Sequence, residues 1–326
     1  MFKALYLTQD DGKTAAEVRQ LEDAALPEGD VTVRVEYSSL NYKDALAVTG
    51  RGPVVRKWPL VAGIDLAGTV EHSASADWKP GDRVVVNGWG MGETDWGGFA
   101  QKARLAAGWL LPLPAEMSTR DAGALGTAGY TAALCVLALQ RHGLKAQDGA
   151  VLVTGASGGV GSVAVALLAG LGYSVTASTG KKQEGDYLRH LGATEIIDRD
   201  QLSVPGKPLQ RERWAGTVDT VGSHTLANAC AATQWNGAVA ACGLAQGGDF
   251  PSTVMPFILR GVALFGINSV FVGNALRTQA YTLLAAHALS KLEAMTTEIG
   301  LTDVVAASHE LLDGRRKGRT VVNVDH

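Results

Sequence analysis

The chain has 326 residues, room for two domains at the usual ~100–200 residues each, and its 29 basic and 32 acidic side chains leave a net charge of −3. That balance, with Arg315-Arg316-Lys317 as the single short basic block, argues against nucleic acid as a partner and favours a small molecule. Three widely spaced cysteines, Cys135, Cys230 and Cys242, each in an apolar run, read as reduced core thiols of a cytoplasmic protein rather than as disulfides.

In chain order, the opening "MFKALYLTQDDGKTAAEV" alternates as a strand does and carries acids, without the apolar core of a secretory signal. From there to about Trp109, short runs such as "VTVRVEYSSL", "LAGTVEH" and "DRVVVNG" are punctuated by Gly, Pro and Asp, which predicts a mostly β domain. A capped helix is expected from Ser118-Thr119-Arg120-Asp121, and a second helix in "GYTAALCVLALQRHG". From Ala150 six apolar runs follow: "AVLVTGA", "YSVTAS", "TEIID", "GTVDTVG", "AVAACG" and "VALFGINSV". Most are separated by helix-length segments, which predicts an α/β fold with a doubly wound parallel sheet of the Rossmann type. Beyond Ser269 comes a helical stretch, then "GRTVVNV", a strand expected to rejoin the N-terminal β domain. The most apolar window, residues 160–171, is shorter than the ~20 residues of a membrane helix, so no membrane partner is expected.

The loop "VTGASGGVG" has Ala156 at the first place of a G-x-G-x-x-G pattern and Gly158 and Gly161 at the expected offsets. Such glycines permit a tight turn and let backbone N–H groups approach a pyrophosphate at a helix N-terminus. Gly-rich turns also serve packing alone; here the strand before, the helix after and a second strand about 20 residues on favour a dinucleotide site. Where an Asp or Glu would take the ribose 2′-OH of NAD stand Ser178, Thr179, Gly180 and Lys181, with Arg199 after the third run. Hydroxyls and cations suit a 2′-phosphate, so the expected coenzyme is NADP(H); the alternative is that Lys181 and Lys182 merely begin a solvated helix.

With that loop read, "SLNYKDALAVTGRG", "PLVAGIDLAGTVE", "GDRV", "GTAGYTA", "GASGGVG" and the terminal "GRTVV" together resemble the medium-chain dehydrogenase/reductase superfamily across nearly the whole chain. "LNYKDAL", "TGRGPVVRKWP", "GWGMGETDWGG", "WAGTVDTVG" and "STVMPFILRGVALFGINSV" are closer still to its zinc-free acryloyl-CoA reductase branch, often labelled quinone oxidoreductase. The resemblance implies a GroES-like, mostly β catalytic domain over residues 1–122 and 270–326, and a Rossmann coenzyme domain over residues 123–269. Zinc members carry Cys where Asn41 stands and a His-Glu pair where Ile64-Asp65 stands. They also have a four-Cys lobe where this chain reads "GMGETDWGG". Those thiols are missing and the seven histidines lack ligand spacing, so no metal is expected. Hydride addition to an activated C=C bond is the chemistry this leaves, with acryloyl-CoA to propanoyl-CoA implied by the resemblance and a quinone as the alternative acceptor. A third reading, a coenzyme-dependent structural or RNA-binding protein, is disfavoured by the missing basic stripe.

Carried over residue by residue, the resemblance places Asn41, Tyr42 and Asp44 at the reacting centre, in a cleft between domains, and Thr127 beside the coenzyme. It puts Leu244, Ile258 and Ser269 along the nicotinamide half, and Ser157, Gly158, Gly159 and Val160 at the pyrophosphate. Thr179, Gly180 and Lys181 fall at the 2′-phosphate, Arg199 at the adenosine, and Arg319 is a further coenzyme contact. Asn41 and Asp44 have a structural alternative as loop ties, with Asp44 capping a helix that begins at Ala45. Arg51, Arg56 and Lys57 lie in a Gly/Pro loop and are candidates for CoA phosphates, or else a solvated face. Trp89 and Trp96 are expected to pack a glycine-rich loop. Homodimerisation, through the edge strand "VALFGINSV", is implied by the family.

Overall fold

Short runs rich in β-branched and apolar residues over the first third of the chain build antiparallel strands, those at Val31–Leu40 and Asp65–Ser73 among them being buried at most positions. The computed structural model describes residues 1–326 and divides into two units. One comprises Met1–Thr127, Ser269–Ala285 and Met295–His326; the other comprises Ala128–Asn268 and Ala286–Ala294.

The first unit begins with a hairpin of β1 (Phe2–Asp10) and β2 (Lys13–Leu21), followed by β3 (Val31–Leu40) and helix α1 (Tyr42–Thr49). The short β4 (Leu60–Val61) pairs back onto β1, and β5 (Asp65–Ser73), β6 (Arg83–Asn87), β7 (Lys102–Leu105) and β8 (Leu111–Pro112) follow. Helix α2 (Thr119–His142) starts as expected: the Ser118 hydroxyl accepts from the Asp121 N–H, and the Asp121 carboxylate accepts from the Ser118 N–H. It bends at Gly126 (φ 50°, ψ −159°), and it has the length and apolar composition of a membrane span, with 83% of its most apolar stretch buried within the protein.

The second unit holds β9 (Val151–Val153), helix α3 (Gly159–Gly170), β10 (Val175–Thr179), α4 (Gly185–Leu191) and β11 (Glu195–Asp198). It continues with β12 (Trp214–Asp219), α5 (Ser223–Ala232), β13 (Thr233–Ala241), α6 (Met255–Arg260) and β14 (Ala263–Gly266). All six expected strands form one parallel sheet in the order β11-β10-β9-β12-β13-β14. Every residue of β12 is buried and α3 is apolar nearly all round, as befits elements covered on both faces.

Helices α7 (Asn274–His287) and α8 (Leu289–Met295) precede β15 (Thr296–Gly300), α9 (Val304–Leu312) and β16 (Arg319–Asn323). Strand β16 pairs antiparallel with β3, so the terminal run does rejoin the first sheet, whose order is β15-β16-β3-β5-β6-β8 with β7 on β3. The division differs from the expected one in three places: the first unit runs on to Thr127 and resumes at Ser269, and Ala286–Ala294 packs with the second unit, where Gly170 lies so near His287 that a Cβ would meet its carbonyl oxygen at 2.5 Å.

Candidate active site

Four chain segments of the first unit end around one carboxylate. Asp65, at the start of β5 and 1% exposed, accepts from the Ser39 hydroxyl (2.5 Å), the Asn41 amide (2.7 Å), the Asn87 amide (2.7 Å), and both the N–H (2.8 Å) and the hydroxyl of Thr127. Ser39 is the last residue but one of β3, Asn41 precedes α1, Asn87 ends β6, and Thr127 follows the bend in α2. Gly126 is needed there: besides its positive φ, a Cβ would meet Ser39 Oγ at 2.1 Å and Asp65 Oδ2 at 2.7 Å. These five bonds give both oxygens of the buried carboxyl hydrogen-bond partners.

The sequence expectation for α1 needs correcting. The helix begins at Tyr42, three residues before Ala45, with Asn41 as its N-cap in extended backbone (φ −113°). Asp44 is therefore the third helical residue rather than the cap, and its Oδ2 accepts from the Asn41 N–H (2.8 Å) and amide (3.0 Å) while Oδ1 accepts from the Ile64 N–H (2.9 Å). Burial pushes the Asp44 carboxyl up to about 7, and the nearby Asp65 charge adds to the rise; the Asn41 and Ile64 donors act against it. Asn41 is engaged on every side, because its Oδ1 accepts from Arg319 Nη2 (3.3 Å). Arg319 itself is 3% exposed, gives Nε to the Ala124 carbonyl (2.8 Å) and stands behind Asn41; the structure thus places this expected coenzyme contact inside the first unit. Tyr42, by contrast, is 57% exposed at the helix start.

Of the three loop cations, Arg51 is paired with Asp313 (3.2 Å), whereas Arg56 and Lys57 are exposed and make no ion pair. The Arg56 N–H binds the Glu93 carbonyl (2.8 Å), and the Glu93 carboxylate holds Lys43 (2.8 Å), so this loop is fastened close to the residue after Tyr42. Trp89 stacks on Trp109 (6.4 Å between rings) and carries the Arg277 guanidinium over its face (4.4 Å); Trp96 meets Tyr6 edge-on. Both tryptophans pack their loop, as expected.

In the second unit the glycine loop joins β9 to α3. Gly155 has φ +57°, and a Cβ on Gly161 would meet the Gly155 carbonyl oxygen at 2.3 Å, so helix and turn approach as only glycine permits. Gly158 is exposed, Gly159 and Val160 are half-buried, and Gly159 begins the helix. This turn is a backbone cradle at a helix N-terminus, open to a phosphate. Ser157 Oγ lies 3.1 Å from Thr179 Oγ1, which also accepts from the Lys181 N–H (3.1 Å). The Arg199 side chain covers Gly180, where a Cβ would meet its Nε at 2.5 Å. Lys181 stands 3.6 Å from the Glu184 carboxylate. These expected coenzyme residues are thus brought together at the carboxyl ends of β9, β10 and β11; Leu244, 69% exposed, follows β13 beside the turn after β12, and Ile258, 73% exposed, lies on α6. Sequence reasoning missed Asp219, whose buried carboxylate accepts from Thr154 Oγ1 (2.7 Å) and the Gly222 N–H (2.8 Å) and so braces the turn from β12; Asn87, Arg277 and Tyr281 were missed as well.

A six-stranded parallel sheet of this order with a glycine cradle, joined in one chain to an antiparallel β unit with a polar centre, defines a medium-chain type of two-unit dehydrogenase. Residues 27–115 match the family described as alcohol dehydrogenase GroES-like domain, and residues 159–287 match the one described as zinc-binding dehydrogenase. Acrylyl-CoA reductase AcuI of Ruegeria pomeroyi is 51% identical over 100% of both chains. The yhdH oxidoreductase of Salmonella enterica, crystallised in complex with NADP, superposes with a TM-score of 0.97 at 49% identity over 99% of each chain. Bacillus subtilis yhfP, crystallised with NAD bound, has a TM-score of 0.97 at 39% identity over 99% of each chain, and carries a quinone oxidoreductase name. The chain belongs to the acrylyl-CoA reductase AcuI family of the medium-chain dehydrogenases/reductases, and is an oxidoreductase. The residues do not fit the zinc in the broader family's description: no three His, Cys, Asp or Glu side chains converge, and the Asn41 amide donates to both Asp44 and Asp65.

Proposed function

We propose that this protein reduces the C=C bond of a short enoyl-CoA with NADPH, acryloyl-CoA to propanoyl-CoA being the reaction that fits best. The observation that carries the coenzyme reading is the end of β10: Thr179, Gly180 and Lys181 with Arg199 across them, hydroxyl and cations where NAD would require a carboxylate. The full-length likeness to a named acrylyl-CoA reductase supports the thioester.

NADPH would supply a hydride from C4 of its nicotinamide to the β-carbon, whose electron deficiency comes from the conjugated thioester carbonyl. The residues present do the rest. Ser157, Gly158, Gly159 and Val160 bind the pyrophosphate through the cradle. Thr127, Ser269, Leu244 and Ile258 meet the nicotinamide half. Tyr42, exposed at the start of α1, offers its hydroxyl to the α-carbon as proton donor, with solvent as the competing source. Asn41 and Asp44 hold that helix start in place through the Asn41–Asp44 and Asn41–Asp65 bonds. Arg56 and Lys57, free of acidic partners, take the CoA phosphates in preference to the paired Arg51. We place the enzyme in the cytoplasm as a homodimer.

The test is the initial rate of NADPH and, separately, NADH oxidation with acryloyl-CoA, crotonyl-CoA and a benzoquinone at matched concentrations. Fast turnover is expected with NADPH and acryloyl-CoA. Turnover with the quinone alone would replace this reading by the reaction that the Bacillus relative's name describes, and Arg56 and Lys57 would lose their role.

A further inference from the structure

Of the four places where the chain passes between the two units, those at Thr127/Ala128 and Asn268/Ser269 are both tied to one buried residue of the first unit. Asn87, the last residue of β6, is 1% exposed. Its amide donates to Asp65 Oδ1 (2.7 Å), and the same carboxylate takes the Thr127 N–H (2.8 Å) and hydroxyl, which fixes the first passage. The main-chain carbonyl oxygen of Asn87 accepts from Arg277 Nη1 (2.8 Å). Arg277, 2% exposed, fixes the second passage by donating to the carbonyls of Val270 (2.8 Å), Val272 (2.7 Å) and, more loosely, Ser269 (3.5 Å). Tyr281, one helical turn on, donates its hydroxyl to Asn87 Oδ1 (2.7 Å) and so sets which end of the amide faces Asp65. The neighbouring Gly88 (φ +74°) comes close enough to Val270 that a Cβ would meet its Cα at 3.0 Å.

We propose that Asn87 is a positioning residue that holds Thr127 and residues 269–272 in one arrangement, and thereby sets how Thr127 and Ser269 are presented to the nicotinamide half of the coenzyme. The proposal rests on the coenzyme reading above. Its chemistry is specific: a side chain with a donor at one end and an acceptor at the other can join a carboxylate to a phenol, and Asn does so in the correct sense only while Tyr281 supplies the hydroxyl. An aliphatic residue would keep the main-chain bond to Arg277 yet leave Asp65 short of a donor and the Tyr281 hydroxyl without its acceptor, so that α7 and the Asp65 carboxylate lose the side chain that joins them.

The experiment compares binding of NADPH with that of 2′,5′-ADP, a probe that carries the adenosine end and no nicotinamide, in the full-length protein and in Asn87→Ala and Tyr281→Phe. Loss of a bond to a buried carboxylate should weaken NADPH binding about tenfold or more in Asn87→Ala, and by a smaller factor in Tyr281→Phe. Binding of 2′,5′-ADP should stay within about twofold of the parent in both, because the adenosine residues lie on the second unit. Parallel loss of both ligands, or no change in either, would overturn the role of Asn87 while leaving the coenzyme reading intact. A parent protein that bound neither ligand would instead overturn the coenzyme reading and this inference with it. The Tyr281→Phe variant deletes a single oxygen, so the comparison survives if Asn87→Ala fails to fold.

Discussion

Single side chains decide coenzyme choice and pH response. Lys181 and Arg199 close on the turn after β10, and a carboxylate at position 181 would repel a 2′-phosphate there while accepting from a ribose hydroxyl. Lys181→Glu is therefore expected to lower kcat/KM for NADPH about ten- to hundredfold with NADH held or improved, read from initial rates with both coenzymes. Asp44 gives a prediction of a different kind. Its carboxyl rises from 3.8 in the unfolded chain to about 7 in the fold, so between those values the folded protein holds a proton that the unfolded one has released. Its contribution to stability falls as pH rises from about 4 to about 7 and is level above that. Denaturation midpoints taken across this range should show a downward component that Asp44→Asn lacks. A parent and variant with the same slope would mean that the three N–H donors keep Asp44 ionised throughout. Much at this scale was legible beforehand: glycines at fixed offsets and the missing acid after β10 are local patterns. Asn87, Arg277 and Tyr281 were not, since partners up to 194 residues apart leave no periodic trace in the sequence.

At the level of elements, strands were easier to read than helix starts and helix allegiance. A buried parallel strand is a short apolar run between turn residues, and all six such runs became strands. The start of α1 slipped by three residues because Tyr42 and Lys43 carry no apolar signal; the N-cap geometry of Asn41, set by Asp44, decides it. Residues 286–294 continue a helical pattern without a break, so their transfer to the second unit follows from packing against Gly170, which the sequence alone does not display. The bend in α2 is the element on which the first unit's polar centre depends. Gly126→Ala would combine a left-handed backbone with a Cβ set against Ser39, Asp65 and Arg319, and should destabilise the protein by at least about 3 kcal/mol, visible in a denaturant titration. Loss of less than about 1 kcal/mol would mean that Ser39 and Asp65 can move aside, and that the five-donor arrangement is softer than its short bonds imply.

For the whole molecule, the open question of assembly is posed by one edge. Strand β14 is the last of its sheet, paired only with β13, and leaves a row of backbone donors and acceptors without ladder partners on its other side. The adjoining segment of the same unit exposes Val254 (64%) and Leu259 (58%), two large apolar side chains outside the residues assigned to the coenzyme. Pairing of β14 with its copy about a two-fold axis would satisfy the edge and cover those side chains at once, since an isologous contact meets itself. Light scattering at micromolar concentration should accordingly give twice the 34.0 kDa chain mass, and Val254→Glu with Leu259→Glu should shift it to a single chain, because two carboxylates per copy would have to be desolvated at the contact. Those two positions lie outside the residues assigned to the coenzyme, so monomers formed in this way should still bind 2′,5′-ADP. A mass that stays doubled in the variant would locate the contact elsewhere and leave the edge of β14 to be protected by its shortness, four residues, alone.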